Sequence, residues 1–385
     1  MKIVFFDLTN QGHHWFYNSE LMINLKVKNT FHKIVYITKH ISESNKSFLE
    51  KKGIIVICIE STKETKKRKY SHIYNLLISS LDYLNAKRIS RKLKADIFVN
   101  LYFDQYILQY FFTKKKEKNI NVLHWFPNNN IKVFILSLLR KSNDSFIVHT
   151  NDVKKKLNDI NKKINVHTIG YPVKKIKPSF ASKEEVLKKL KIDQDFTDSV
   201  LSRVLLYFGG TRHDKGLDIL LDALKIVESK VTIMIVGQEQ TFKKEFIKSK
   251  LDMANENSNN TLRLGYVEEA DVLKYFYVSD AIILPYRSYF NGESGVLTDA
   301  ILMEKPVVVP DIIHFPETIN KFNNGIVFKV EDAKDLASSI DKLLLNYEFY
   351  ETNAKKVSRK FEEDRSVENF ANQYLALINM DNNNF

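Results

Sequence analysis

The chain has 385 residues, of which 44% are hydrophobic and 27% charged. That composition excludes a disordered chain, and the length asks for two or three ordinary cores rather than one. A single cysteine, Cys58, excludes a disulfide framework and any multi-cysteine metal site, while 59 Lys and Arg against 46 Asp and Glu leave a net charge of +13.

The charge is uneven. Residues 1–180 hold 33 Lys and Arg against 13 Asp and Glu, and residues 181–385 hold 26 against 33. A basic front half suggests an anionic partner such as a membrane surface, a phosphorylated lipid or a nucleic acid; compositional drift toward Lys accounts for the overall excess but not for the difference between the halves. The opening MKIVFFDLTNQGHHW lacks the basic flank, long apolar stretch and cleavage site of a signal peptide. No stretch approaches 18 apolar residues, so the expectation is a cytoplasmic protein.

The first element is KIVFFDL, an apolar run ending in a polar loop, as expected of a buried strand. In that loop Gly12, His13 and His14 precede a helix expected to start at Trp15–Phe16. Similar runs follow at 33–38, 53–59, 96–102, 120–126 and 145–150. Helical spacing lies between them, as at 73–94, and the Lys-rich segments 63–69 and 114–118 read as exposed loops or helix ends. Tyr106, Tyr110, Phe111 and Phe112 sit at helical spacing and fit either core or a lipid or acceptor contact. The alternation breaks at 171–200, where Pro172 and Pro178 punctuate a polar stretch. A second strand series follows at 203–210, 230–237, 261–267, 280–286 and 305–310, and 366–378 reads as an amphipathic helix. Strands alternating with helices give parallel sheets covered on both faces. Ligands in such sheets bind beyond the carboxyl ends of the strands.

Two segments carry chemistry. In LLYFGGTRHDKGLDILL (205–221) a strand runs into Gly209 and Gly210, then Thr211, Arg212, Lys215 and Gly216, then a helix. Glycines admit a ligand close to the backbone, and two cations before a helix start suit a diphosphate; a solvated loop with two surface cations fits the same letters. GxxxxGK(S/T) is absent. In DAIILPYRSYFNGESGVLTDAILMEKPVVVPD (280–311) a strand ends at Pro285–Tyr286, and Ser294 is placed to cap a helix. The first amides of that helix, around Gly295 and Val296, form a second anion site. Glu293 and Asp299 are acceptors placed for sugar or ribose hydroxyls, or alternatively a capping box with a solvated acid.

Together these segments resemble the retaining, nucleotide-sugar-dependent glycosyltransferases of family 4. FGGTRHDKG is similar to that family's F-G-x-x-R-P-Y-K-G, keeping Arg212, Lys215 and Gly216 at the same spacing. NGESGVLTDAILMEKPV matches its donor segment at Gly292, Ala300, Lys305, Pro306 and Val307, and a PYR…QSGVL subgroup adds Pro285, Tyr286, Arg287, Ser294, Gly295, Val296 and Leu297. Three departures stand out. The family's paired glutamates fall on Asn291 and Asp299, with Glu293 a substitute for the first, and Glu304 stands where the family has glycine.

The resemblance implies a GT-B fold: two facing doubly wound, Rossmann-like α/β domains with an interdomain cleft. The expected parts are an acceptor-side domain over 1–175, a linker over 176–200, a nucleotide-sugar domain over 201–360, and a final helix, 361–385, crossing back. It implies Arg212, Lys215, His124 and Glu293 as catalytic. Gly209, Gly210, Thr211, Asn291, Gly292, Ser294, Gly295, Val296, Asp299 and Glu317 would bind the donor, and Gly12, His13 and His14 would lie on the acceptor side. No cofactor and no metal is expected. The implied reaction moves a sugar from a nucleoside-diphosphate sugar to a hydroxyl of a lipid-linked (polyprenyl-diphosphate) or surface-polysaccharide glycan. The basic half would meet an anionic membrane at its inner face, with no role for nucleic acid. A GT-B nucleotide-sugar epimerase and a non-catalytic glycan- or nucleotide-binding homologue are the alternatives.

Overall fold

A computed structural model of the chain describes residues 1–59, 71–113, 117–127, 129–140, 142–174, 180, 182–192 and 203–379, with the backbone alone for 71–79 and His13. The Lys-rich segment 63–69, most of 114–118, most of 176–200 and the DNNNF tail lie outside the described residues. The chain divides into two compact units, Met1–Lys174 with Arg365–Phe385, and Lys175–Asp364.

The first unit alternates strands and helices: β1 (Lys2–Phe6), α1 (Gly12–Lys28), β2 (Lys33–Thr38), α2 (Glu43–Lys51), β3 (Ile54–Cys58), α3 (Ser71–Lys92), β4 (Ile97–Asn100), α4 (Ile107–Phe112), β5 (Lys118–Leu123), α5 (Asn130–Ser137), β6 (Ser145–Val148), α6 (Asn151–Ile160) and β7 (Asn165–Thr168). All pairings are parallel, in the order β3-β2-β1-β4-β5-β6-β7. Two apolar clusters cover the sheet. One holds Val4, Phe6, Phe98 and Phe146, and the other Ile3, Phe5, Val99 and Ile147. Successive residues of β1 therefore enter opposite cores, which is why buried parallel strands read as continuous apolar runs.

The second unit contains α7 (Lys183–Lys189), β8 (Arg203–Phe208), α8 (Leu217–Ala223), β9 (Val231–Gly237), α9 (Lys244–Leu251), β10 (Ser258–Leu264), α10 (Glu269–Val278), β11 (Ala281–Ile283), α11 (Gly295–Leu302), β12 (Val307–Pro310), α12 (Phe315–Phe322), β13 (Gly325–Phe328), α13 (Ala333–Leu345) and α14 (Tyr347–Asp364). Its parallel sheet runs β10-β9-β8-β11-β12-β13, again with an apolar cluster on each face. After α14 the chain returns to the first unit as α15 (Val367–Asn379). That helix packs on α1, where the hydroxyls of Tyr17 and Tyr374 meet at 2.7 Å in a buried setting.

Several expectations need correction. β7 and β13 were not legible, being short edge strands whose residues are only partly buried. Lys118 opens β5 rather than a loop, and α1 starts at Gly12, its first turn closed by the Trp15 amide on the Gln11 carbonyl. β5 ends at Leu123 because the Asp104 carboxylate takes the amides of His124 and Trp125. β11 ends at Ile283, and the chain beyond it is drawn across to the β8 loop by the bond from the Arg287 amide to the Asp214 carbonyl.

No helix among the described residues is long and apolar enough to cross a membrane.

Candidate functional site

In each sheet the strand order reverses at one place, between β1 and β4 and between β8 and β11. Loops diverge there beyond the carboxyl ends of the strands and leave room for a ligand.

In the second unit Gly209, with φ of +126°, follows β8, and Thr211 lies behind it. The Thr211 hydroxyl is buried. It donates to the Phe242 carbonyl at 2.7 Å and accepts the Gln240 amide at 2.8 Å. Thr211, expected to bind the donor, thus tethers the loop after β9. Arg212 is half exposed and grips Asp214 through Nε and Nη2. Gly216 has φ of +63°, and a Cβ there would lie 1.9 Å from the Pro285 carbonyl oxygen. Only glycine lets the β8 loop approach the end of β11 this closely.

That approach places Lys215. Its Nζ lies 3.7 Å from the centre of the Tyr286 ring and 4.8 Å from that of Phe290. No carboxylate lies within ion-pair distance of it among the described residues. Burial, and secondarily the Arg212 guanidinium, bring its amine down to about 7. The Tyr286 hydroxyl meets the Ser294 hydroxyl at 3.1 Å. Ser294 caps α11 as expected by accepting the Leu297 amide. Among the described residues nothing accepts from the amides of Gly295 and Val296, at the start of α11. Tyr286 thus joins the cationic loop to the positive end of a helix.

Asp299 lies on α11, and its partly buried carboxyl is pushed up to about 7 by burial alone. Gly292 is buried and Asn291 half-buried. Glu293 sits 3.5 Å from Nε2 of His314, the residue before α12. Glu317 is exposed in the first turn of α12. Arg287 stitches the loops together, donating to the His213 carbonyl and the Asp218 carboxylate.

In the first unit the corresponding reversal holds a column of rings. The buried Asp7 carboxylate, just past β1, accepts from Asn18 and pairs with His14 Nδ1 at 2.8 Å. His14 stacks on Tyr102 at 3.8 Å, and Tyr102 stacks on His124 at 3.9 Å. Gly12 is exposed at the start of α1, and the side chain of His13 lies outside the described residues. His124, expected to face the transferred sugar, ends this column. It is buried, with Nε2 on the Leu101 carbonyl at 2.9 Å and Nδ1 on His149 Nε2 at 3.2 Å. It packs against Tyr102.

The sequence reading missed Asp7, Tyr102, His149 and His314 altogether and gave Tyr286 no role. Tyr286 was visible in the PYR letters, but no spacing shows that it lies under Lys215.

Residues 202–346 match the family model of Glycosyl transferases group 1. The second unit is similar to that family over this stretch. One relative of this domain's chain is a GDP-mannose:glycolipid 4-beta-D-mannosyltransferase of Xanthomonas campestris pv. campestris, 28% identical over 36% of this chain and 40% of that protein. The chain spans less than half the length of the first curated relatives it matches. Sucrose-phosphate synthase of Thermosynechococcus elongatus matches with a TM-score of 0.72 at 12% identity, covering 98% of both chains. Anabaena HepE, solved with UDP and glucose, matches at 0.67 and 16%, covering 99% of this chain and 100% of that one. These likenesses show a GT-B fold.

Proposed function

We propose that the protein transfers a sugar, with retained anomeric configuration, from a nucleoside-diphosphate sugar to a hydroxyl of a lipid-linked or surface-polysaccharide glycan. The observation that carries this reading is Lys215 held over Tyr286, whose hydroxyl reaches the Ser294 cap of α11. Two cations and two helix-start amides then converge on one diphosphate. The names of the relatives, a glycolipid mannosyltransferase among them, support a nucleotide-sugar donor and a glycan acceptor.

In this reading the bond from the sugar C1 to the phosphate oxygen breaks, and its electron pair leaves with the nucleoside diphosphate. Arg212, Lys215 and the amides of Gly295 and Val296 stabilise that developing charge, which is usually the largest catalytic contribution. Asp299 accepts from ribose hydroxyls, and Glu293, oriented by His314, accepts from the sugar. His14, paired with Asp7, lies on the acceptor side. The basic first half keeps the protein at the cytoplasmic face of an anionic membrane, where each exposed cation adds about 1 kcal/mol.

Calorimetry with UDP and GDP tests the donor site. Micromolar binding of one nucleotide is expected, lost in Arg212→Ala with Lys215→Ala. Failure of the intact protein to bind either nucleotide would overturn the reading. With the matching nucleotide-sugar and a glycolipid acceptor, the anomeric configuration of the product, read by NMR, tests retention.

A further inference from the structure

The first unit leaves one helix face uncovered. α5 and the two residues after it bury Ile135, Leu136 and Leu139 toward the core, but Ile131, Phe134 and Leu138 point outward, 65%, 62% and 46% exposed. Their spacing puts them on one stripe of the helix. α4 packs beside α5, and its last residues, Phe111 and Phe112, are 38% and 77% exposed. Five large apolar side chains on two adjacent helices exceed the scattered exposure of an ordinary surface.

The stripe is held in place. The Asn129 side chain accepts the amides of Ile131 and Lys132 at the start of α5. The Asn161 amide donates to the carbonyls of Leu136 and Leu139 at its end.

The described neighbours of the stripe are mostly basic. Lys132 lies on α5 and Arg140 follows it, and α6, which packs on α5, carries Lys154, Lys155 and Lys156 against Asp152 and Asp159. A basic rim repels a second copy of itself and attracts an anionic one. An apolar stripe on a short helix with basic surroundings is built to lie in the headgroup layer of a bilayer.

We propose that the outward face of α4 and α5 seats the protein on an anionic lipid bilayer, with Phe112, Ile131, Phe134 and Leu138 entering the headgroup–acyl boundary. This rests on the lipid-linked acceptor of the proposed function and names the surface that meets the membrane.

Flotation of the full chain with phosphatidylglycerol-containing vesicles, against pure phosphatidylcholine vesicles, tests it. Wild type should float with the anionic vesicles alone, less so at high salt. The Ile131→Ser, Phe134→Ser, Leu138→Ser triple variant should bind them at least about tenfold more weakly. Its melting temperature and nucleotide affinity should not change, because these side chains face solvent and lie outside the donor site. Should the triple variant fold poorly, Phe134→Trp serves instead: its added fluorescence should shift to the blue on anionic vesicles, and no shift would sink the proposal. A wild type that floats with neither vesicle overturns the membrane reading itself. A triple variant that floats as well as wild type overturns this face while leaving that reading intact. A concentration-dependent dimer lost in the triple variant would assign the face to a second copy instead.

Discussion

The ammonium of Lys215 rests 3.7 Å above the Tyr286 ring, across the point where the second sheet reverses between β8 and β11. The first sheet repeats the arrangement, with His14 from the first turn of α1 stacked 3.8 Å from Tyr102, just past β4. In both units an aromatic ring just past the strand across the reversal packs against a basic residue that follows the first strand.

Under the proposed function this setting should make nucleotide binding depend on pH. The Lys215 amine titrates near 7 in the folded chain and near 10.5 when free. Between these values the unfolded chain binds a proton that the folded chain does not, so stability of the second unit rises with pH across that window. A bound diphosphate restores the proton. Nucleotide affinity should therefore fall as pH rises above about 7, with proton uptake on binding. Calorimetry at pH 8 in two buffers of different ionisation heat measures that uptake, which should vanish in Lys215→Ala.

Arg212→Ala and Lys215→Ala should each lower kcat by about 10²–10³. The two substitutions differ in a second respect. Arg212→Ala also removes a cation that lowers the Lys215 amine, so the pH at which affinity falls should move upward. Affinity measured from pH 6 to 9 in each variant separates the two.

Asp299 has the opposite linkage. Its carboxyl is raised by burial from 3.8 to about 7, so its contribution to stability is full below about 4 and is lost as pH rises through about 7. Asp299→Asn should melt higher than wild type at pH 8 but not at pH 4. It should also bind nucleoside diphosphates more weakly if the carboxylate accepts from ribose. Melting curves at both pH values and one calorimetric titration check the two effects.

Glu304 is exposed, with φ of +59°, in the left-handed region. A side chain there costs about 1–2 kcal/mol relative to glycine. Glu304→Gly should raise the melting temperature by about 2–4 °C without changing nucleotide affinity. An unchanged or lower melting temperature would show that Glu304 makes compensating contacts.

Gly216→Ala should be far more damaging. The new Cβ would lie 1.9 Å from the Pro285 carbonyl oxygen, so the β8 loop must move away from β11. Loss of about 3 kcal/mol or more is expected, together with loss of the Lys215–Tyr286 contact. Chemical denaturation and nucleotide titration should both report it.

Much of the fold was legible because a strand buried on both faces must be apolar throughout, as KIVYIT and KVTIMIVG are. Ser294 was legible as a cap because capping is a local hydrogen bond. β7 and β13 were not, since edge strands bury fewer side chains and carry a weaker pattern. The partners of His124 were not legible either. The residue does follow the end of β5, yet its two ring nitrogens go to Leu101 and His149, and neither partner is adjacent in the chain.

The sequence by itself determined two series of alternating strands and helices, a cationic glycine loop after one strand and a capped helix after another. It did so because these features depend on residues within a turn or two of each other. Only the tertiary structure decided that Lys215 meets Tyr286, that Tyr286 reaches Ser294, and that Tyr102 lies between His14 and His124. Those meetings follow from the strand order, which sets β8 beside β11 and β1 beside β4, with other strands intervening in sequence. No local pattern encodes that adjacency; it arises when both faces of each sheet are buried at once.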